Sequence, residues 1–263
     1  MSVVIRTIGI ASAVLWVFLI GFAVSAVFSV KDFQFEFGAM QTTLDSQNEV
    51  VFALPVGVVN NGLYSISDFV VSSIMVDDQG LTLASGSTFV PLIGTGQSVN
   101  TTHVIRVRLS DLLNGSTRLL FDDVDLRLAE TFSMKAAELI PVQASSNMSI
   151  QWGAPLYNFA LGTPQLSEEA SGHGGSSVGV VVPVSFEDHA FFGFNGTLLV
   201  RVYNNASVLI GAGQTFFDVS QKSPFRQKLM VDAAMQNVTS TGHYEVFVET
   251  PLFNVGPLVF PYA

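Results

Sequence analysis

The chain has 263 residues, of which 49% are hydrophobic, 12% are charged and none is cysteine, and its formal net charge is -10. So much apolar surface is incompatible with a disordered chain, the acidic balance repels nucleic-acid phosphates, and the lack of thiols excludes disulfides, thiol catalysis and cysteine metal sites. Charged residues are about half as frequent as the roughly 25% of an ordinary soluble domain, so something else must keep the chain soluble.

The first predicted element is "TIGIASAVLWVFLIGFAVSAVFSV", Thr7–Val30, 24 residues without a charge. As a helix it spans about 36 Å, enough for the roughly 30 Å hydrocarbon core of a bilayer. Small residues at Val24-Ser25-Ala26 offer a signal-peptidase site after Ala26, and cleavage there would give a secreted protein. The run nevertheless continues to full spanning length, so an uncleaved anchor is the preferred reading. Arg6 precedes it, whereas Lys31 is followed by Asp32 and Glu36. That bias puts the N-terminus inside and the C-terminal domains outside, a single-pass cell-membrane topology with the bilayer as first partner.

Asn-x-Ser/Thr triplets lie at Asn100, Asn114, Asn147, Asn195, Asn205 and Asn237, all beyond the hydrophobic run. About two are expected by chance, so these six are candidate glycosylation sites on an exported chain. Attached sugars would supply the missing solubility.

From Lys31 onward the period is two. "VVFALPVGVVNNG", "YSISDFVVSSIMVDD", "LTLASGSTFVPLI" and "THVIRVRLSDLL" read as strands separated by Asn-Gly, Asp-Gln-Gly and Gly-Thr-Gly turns. "VGVVVPVSF", "FNGTLLVRVYNNASVLI", "GQTFFDV", "FRQKLMV" and "HYEVFVET" follow in the second half. The halves also match in order: Phe33–Gly38 with Tyr157–Gly162, Pro55 with Pro183, and "RLAET" at Arg127–Thr131 with "VFVET" at Val246–Thr250. The prediction is an all-β protein of two tandem antiparallel β-sandwiches after one hydrophobic helix. Its parts are 1–30 (anchor or signal), 31–142 (first sandwich), 143–151 (junction, partly stranded at Met148-Ser149-Ile150) and 152–263 (second sandwich). Pro55 and Pro183 are expected at an edge, bulge or bend common to both copies. Gly, Ser and Pro make 163–179 an exposed loop.

"LPVGVVNNGLYSISDFVVSSIMVDDQG" at Leu54–Gly80 resembles the water-stress and hypersensitive-response domain, the fold of the type 2 late-embryogenesis-abundant proteins, which also occurs in archaeal proteins with an N-terminal hydrophobic segment. The second copy departs from the pattern, with His189-Ala190 in place of Asn61-Gly62 and "NNAS" in place of "DDQG". The resemblance implies Ig-like or fibronectin-like sandwiches and membrane association, stress protection or binding. It implies no established enzyme activity.

Reactive residues do not assemble into a motif. His103, read at the head of a strand, His173, His189 and His243 lack the spacing of a zinc site. Glu187-Asp188-His189 reads as a solvated turn. Asp77-Asp78 and Asp122-Asp123-x-Asp125 lack an EF-hand pattern and read as polar edges, although loops at one end of a sandwich can converge. No Gly-x-Ser-x-Gly elbow and no phosphate-cradling loop occurs. No catalytic, metal-binding or cofactor-binding residue is therefore assigned, no small-molecule ligand is identified, and the protein is read as not an enzyme. Adjacent aromatics at Phe191-Phe192-x-Phe194 and Phe216-Phe217 point to opposite strand faces; both faces covered by a domain or subunit is favoured over a binding surface.

The expectation is a membrane-anchored extracytoplasmic structural or protein-interaction component of an envelope layer or filament, with "DFQFEFGAM" as a candidate donated strand. The alternative is an envelope-side binding module for a lipid, glycan or membrane-complex partner, which needs an apolar pocket.

Overall fold

A computed structural model describes residues 2–167, 177–234 and 237–263. Helix α1 (Ser2–Val30) contains the uncharged run. Val14, Trp16, Val17 and Phe18 are each more than 60% exposed, which is untenable for a helix in water and normal for one in lipid. The protein is thus held by a single membrane-spanning helix among the described residues, with large extracytoplasmic β-domains beyond it.

Eight strands form the first unit: β1 (Phe33–Phe37), β2 (Gln41–Leu44), β3 (Glu49–Asn60), β4 (Ile66–Val76), β5 (Thr82–Ile93), β6 (Ser98–Arg108), β7 (Val124–Ala136) and β8 (Ile140–Trp152). One sheet has β3 at its centre, paired with β1, β2 and β6; the other runs β5-β4-β7-β8. The second unit repeats this with β9 (Tyr157–Leu161), β10 (Gln165–Leu166), β11 (Ser177–Glu187), β12 (Phe194–Asn204), β13 (Leu209–Val219), β14 (Pro224–Ala234), β15 (Gly242–Glu249) and β16 (Asn254–Tyr262). Here β11 pairs β9, β10 and β14, while β12 pairs β13 and β15, and β15 pairs β16. An added short ladder, Gly211 and Ala212 of β13 against Ala233 and Asp232 of β14, joins the two layers into one nearly closed sheet.

The matched prolines have a common physical reason. Gly38 N–H donates to the Pro55 carbonyl at 2.9 Å, and Gly162 N–H to the Pro183 carbonyl at 2.8 Å. Each proline lies where the central strand changes partner, from β2 to β1 or from β10 to β9. The missing proline N–H faces that gap, so no ladder bond is lost. A Cβ on Gly38 or Gly162 would lie 2.9 Å from the proline ring, which keeps both positions glycine.

Turns repeat as well. Asp77 Oδ1 accepts from Gln79 and Leu81 N–H, and Asn204 Oδ1 from Ala206 and Val208 N–H, all at 2.8–3.0 Å. "NNAS" therefore makes the same turn as "DDQG", because either side chain supplies the accepting oxygen. It also divides "FNGTLLVRVYNNASVLI" into β12 and the start of β13.

Three expectations need correction. The junction stretch 143–151 lies within β8 and pairs with β7 along its length; its alternating Ser, Asn and Gln are the polar face of a strand. "RLSDLL" leaves the strand at Arg108 and enters helix α2 (Leu109–Gly115), followed by α3 (Arg118–Phe121). Leu109, Leu112, Leu113, Leu119 and Leu120 are buried at helical spacing too short to register as a period. "RLAET" and "VFVET" do lie on equivalent strands, but out of register: Glu130 pairs with Ser73, and the corresponding ladder pair is Val246 with Val200. Glu130 is buried accordingly, whereas Glu249 is exposed.

Candidate functional site

The densest meeting of functional groups is the junction between units. Trp152 ends β8 buried, its Nε1–H donating to the Leu119 carbonyl at 2.9 Å and its ring 6.0 Å edge-on from Phe191. Phe121 of α3 packs on Phe159 of β9 and Phe260 of β16, closing the open side of the second unit with a residue from the first. Phe192 and Phe194 are core, as is Phe217, while Phe216 is exposed. Covered aromatics therefore account for the Phe191–Phe194 cluster.

His189 follows β11 and is held from three sides. Its Nδ1 is 2.7 Å from Asp123 Oδ2, its Nε2 is 3.4 Å from Glu187 Oε2, and its ring stacks on Tyr157 at 4.0 Å. Asp123 Oδ1 also accepts from Ala154 N–H at 2.9 Å, and His189 N–H donates to the Ala154 carbonyl. The hydrogen bond to Asp123 raises the imidazole pKa above its ordinary value, aided by Glu187. This is an ion-paired latch across the junction. Beside it an open cleft of about 740 Å³ is lined by Asp123, Asp125, Gln151, Trp152, His189 and Lys222.

The two carboxylate clusters do converge, but onto an arginine. Arg118 reaches Asp78 at 2.6 Å and Asp122 at 3.3 Å, and its hydrogen bond holds the Asp78 carboxyl below the usual range. Arg118→Gln is expected to return Asp78 to ordinary carboxylate titration, read by carboxyl-carbon NMR. Among the described residues no three histidine or acidic side chains converge as metal ligands. His103 lies within β6 rather than at its head and is buried; His243 opens β15 and stacks on Tyr203, and His173 is outside the described residues.

Asn100, Asn114, Asn147, Asn195 and Asn205 are exposed and Asn237 is half-buried, so none of the candidate glycosylation sites points into the core. "DFQFEFGAM" is paired: all five residues of β1 lie on β3 of the same chain, which removes the motive for donating it. A narrow apolar seam of about 290 Å³ between β1 and β8 is lined by Phe35, Phe37, Phe132, Met134 and Val142, with Val30 of α1 at its rim. Among the described residues no side chain fills it as Phe121 fills the equivalent side of the second unit.

No family profile and no curated protein matches the chain. Solved structures to which the chain is similar include a transglutaminase from red sea bream (12% identity, TM-score 0.31, 88% of this chain and 31% of that one). A Mobiluncus mulieris adhesin containing intramolecular disulfide, isopeptide and ester bond cross-links is similar at 11% identity and TM-score 0.32, over 81% of this chain and 80% of that one. A Bacteroides uniformis beta-glucuronidase 2 is similar at 7% identity and TM-score 0.30, over 82% of this chain and 27% of that one. The chain thus spans less than a third of the enzymes.

Proposed function

We propose that this is a membrane-anchored, non-enzymatic structural or protein-interaction component, with two units of the type 2 late-embryogenesis-abundant-like kind assembling laterally in an envelope layer or filament. The observation that supports it is the outer edge of β8. It is 13 residues long, carries no charge and, among the described residues, has β7 as its only ladder partner. Protein edges are ordinarily blunted by lysine, a bulge or a cover; β8 has only Pro141 near one end. An edge of this kind accepts a strand from a neighbour.

The test is cross-linking of the full chain in native membranes against the double variant Ser145→Lys, Asn147→Lys. Oligomer ladders that collapse to monomer in the variant support edge pairing; a ladder unchanged by the variant, or none in the parent, overturns it. A sugar on Asn147 would crowd the same edge. Glycopeptide mass spectrometry should accordingly find Asn147 bare even where Asn100, Asn114, Asn195 or Asn205 is modified. The apolar seam favours the second reading, a lipid-binding module, and lipid that co-purifies with the parent but not with Ala144→Trp would select it.

A further inference from the structure

We propose that the anchor-side end of the first unit is itself a bilayer-docking face, with Leu63, Leu92 and Leu139 dipping into the lipid interface beside α1. The three are 69%, 53% and 73% exposed and come from three separate places: the β3–β4 loop, the end of β5 and the β7–β8 turn. All belong to one end of the sandwich. Ile66 pairs with both Ile93 and Ala136, and Phe33, just after α1, pairs with Asn60.

That end is fastened to the span rather than strung from it. Leu63 and Tyr64 N–H donate to Ser29 Oγ at 2.8 and 3.3 Å, Tyr64 OH meets Ser25 Oγ at 2.7 Å, and the Tyr64 ring stands edge-on to Phe22 at 5.5 Å. Ala26 and Ser29 are fully buried by this contact. The uncharged run exceeds the hydrocarbon core by about 6 Å, roughly one turn, which puts residues 27–30 at headgroup depth and Ser25, with the Tyr64 hydroxyl on it, within about 3 Å of that boundary, where tyrosine is favoured. The docking face is thereby continuous with the membrane interface of α1.

The second unit shows what this end does when its neighbour is protein. Phe191, three residues after Asp188 as Leu63 is three after Asn60, packs on Trp152 of the first unit. Asp218, preceding Val219 as Leu92 precedes Ile93, is exposed and polar. The equivalent end thus faces whatever precedes it in the chain: the first unit for the second, and the bilayer for the first. The charges around the leucines are Lys31, Asp32, Asp68, Lys135 and Glu138, with Asp68 and Lys135 paired at 2.9 Å. Acidic groups are in the majority, so attachment runs through apolar insertion and not through anionic headgroups.

The sequence lacks cysteine, so single-cysteine variants of the full chain can be labelled with bimane and placed in phosphatidylcholine nanodiscs containing tail-brominated lipid. Leu92→Cys and Leu139→Cys should show blue-shifted emission and severalfold more quenching than Ser207→Cys at the far end of the second unit, with little dependence on salt. Emission at positions 92 and 139 indistinguishable from position 207 overturns the proposal. So does disulfide formation between copies at those positions, which would make the face a protein contact.

Discussion

Asp188→Asn is expected to stabilise the protein at pH 8 by about 2–4 kcal/mol and to flatten the dependence of its stability on pH. The internal repeat supplies the argument. Asn60 ends β3 and Asp188 directly follows β11, and both grip the neighbouring hairpin turn: Asn60 N–H donates to Gln97 O and Asp188 N–H to Ser223 O, while Asn60 O accepts from Gly96 N–H and Asp188 O from Lys222 N–H. Asn60 Oδ1 accepts from Gly62 N–H and Asp188 Oδ1 from Ala190 N–H. The difference lies at the other side-chain atom. Asn60 Nδ2 donates to the carbonyls of Tyr64 and Ile93, both at 3.0 Å, whereas Asp188 Oδ2 is buried without a protein partner. An ionised carboxylate leaves a buried charged oxygen unpaired there; a protonated one is neutral and, like the amide, carries a donor at that atom.

Burial raises the Asp188 pKa from 3.8 to about 7, opposed by the Ala190 hydrogen bond and by His189. A carboxyl with a raised folded-state pKa binds its proton more tightly when folded. Its stabilising protonation is complete below pH 3.8 and is lost as pH rises towards 7, at about 1.4 kcal/mol per pH unit. His189, also raised, acts in the same direction near neutrality, so some pH dependence persists in the variant. Denaturant titrations of the full chain in detergent at pH 5 and pH 8 check this. Equal stability of parent and Asp188→Asn at pH 8 would mean that Oδ2 has found another partner.

Legibility of the sequence followed the distance over which its causes act. The proline and glycine pairs could be read because they are local backbone constraints repeated in each copy. The polar strand β8 could not, since an uncharged run of Ser, Asn and Gln has the composition of a linker, and only pairing with β7 makes it a strand. The Asp123–His189 latch joins residues 66 positions apart, so no window of sequence contains it. Glu187-Asp188-His189 reads as a solvated turn, yet Glu187 ends β11 and Asp188 is buried, because both its burial and the partner of His189 depend on the packing of the first unit against the second. The register of Glu130 was lost for a related reason. Matching Glu-Thr to Glu-Thr satisfied local identity, whereas the ladder obeys the alternation of inward residues.

That register exposes the second large effect: replacing Ser73, Glu130 and His103 together by Val, Val and Leu is expected to stabilise the first unit by about 1–4 kcal/mol. The side chains lie at one level of the sandwich. Ser73 faces Glu130 across one ladder and Gly86 across the other, and His103 on β6 is paired with Leu54. All three are at most 2% exposed. His103 Nδ1 meets Thr88 Oγ1 at 2.9 Å, and Ser73 is near enough to Glu130 to oppose weakly the effect of burial on its carboxyl, but His103 Nε2, Ser73 Oγ and Glu130 Oε1 make no hydrogen bond of good geometry within the chain. Burial lifts the Glu130 carboxyl above its usual range and lowers the His103 imidazole, so each is biased towards its neutral form. The layer also divides the first unit's core, with Leu54, Val71 and Met134 on one side and Phe52, Met75 and Leu128 on the other. In the second unit the same ladder positions are Val200, Val246, Gly213 and Leu229, and the core is continuous. Swapping in those residues removes orphaned polar atoms at a level the fold already packs with aliphatic side chains. The cost of changing one member is opposite in sign: His103→Leu alone loses the Thr88 hydrogen bond, as the triple variant does, but without the offsetting removal of the Ser73 and Glu130 polar atoms, and should destabilise by about 0.5–1.5 kcal/mol. Denaturant unfolding of the single and triple variants separates these outcomes, and a triple variant weaker than the parent would show that the layer is held by bonds beyond those within the chain.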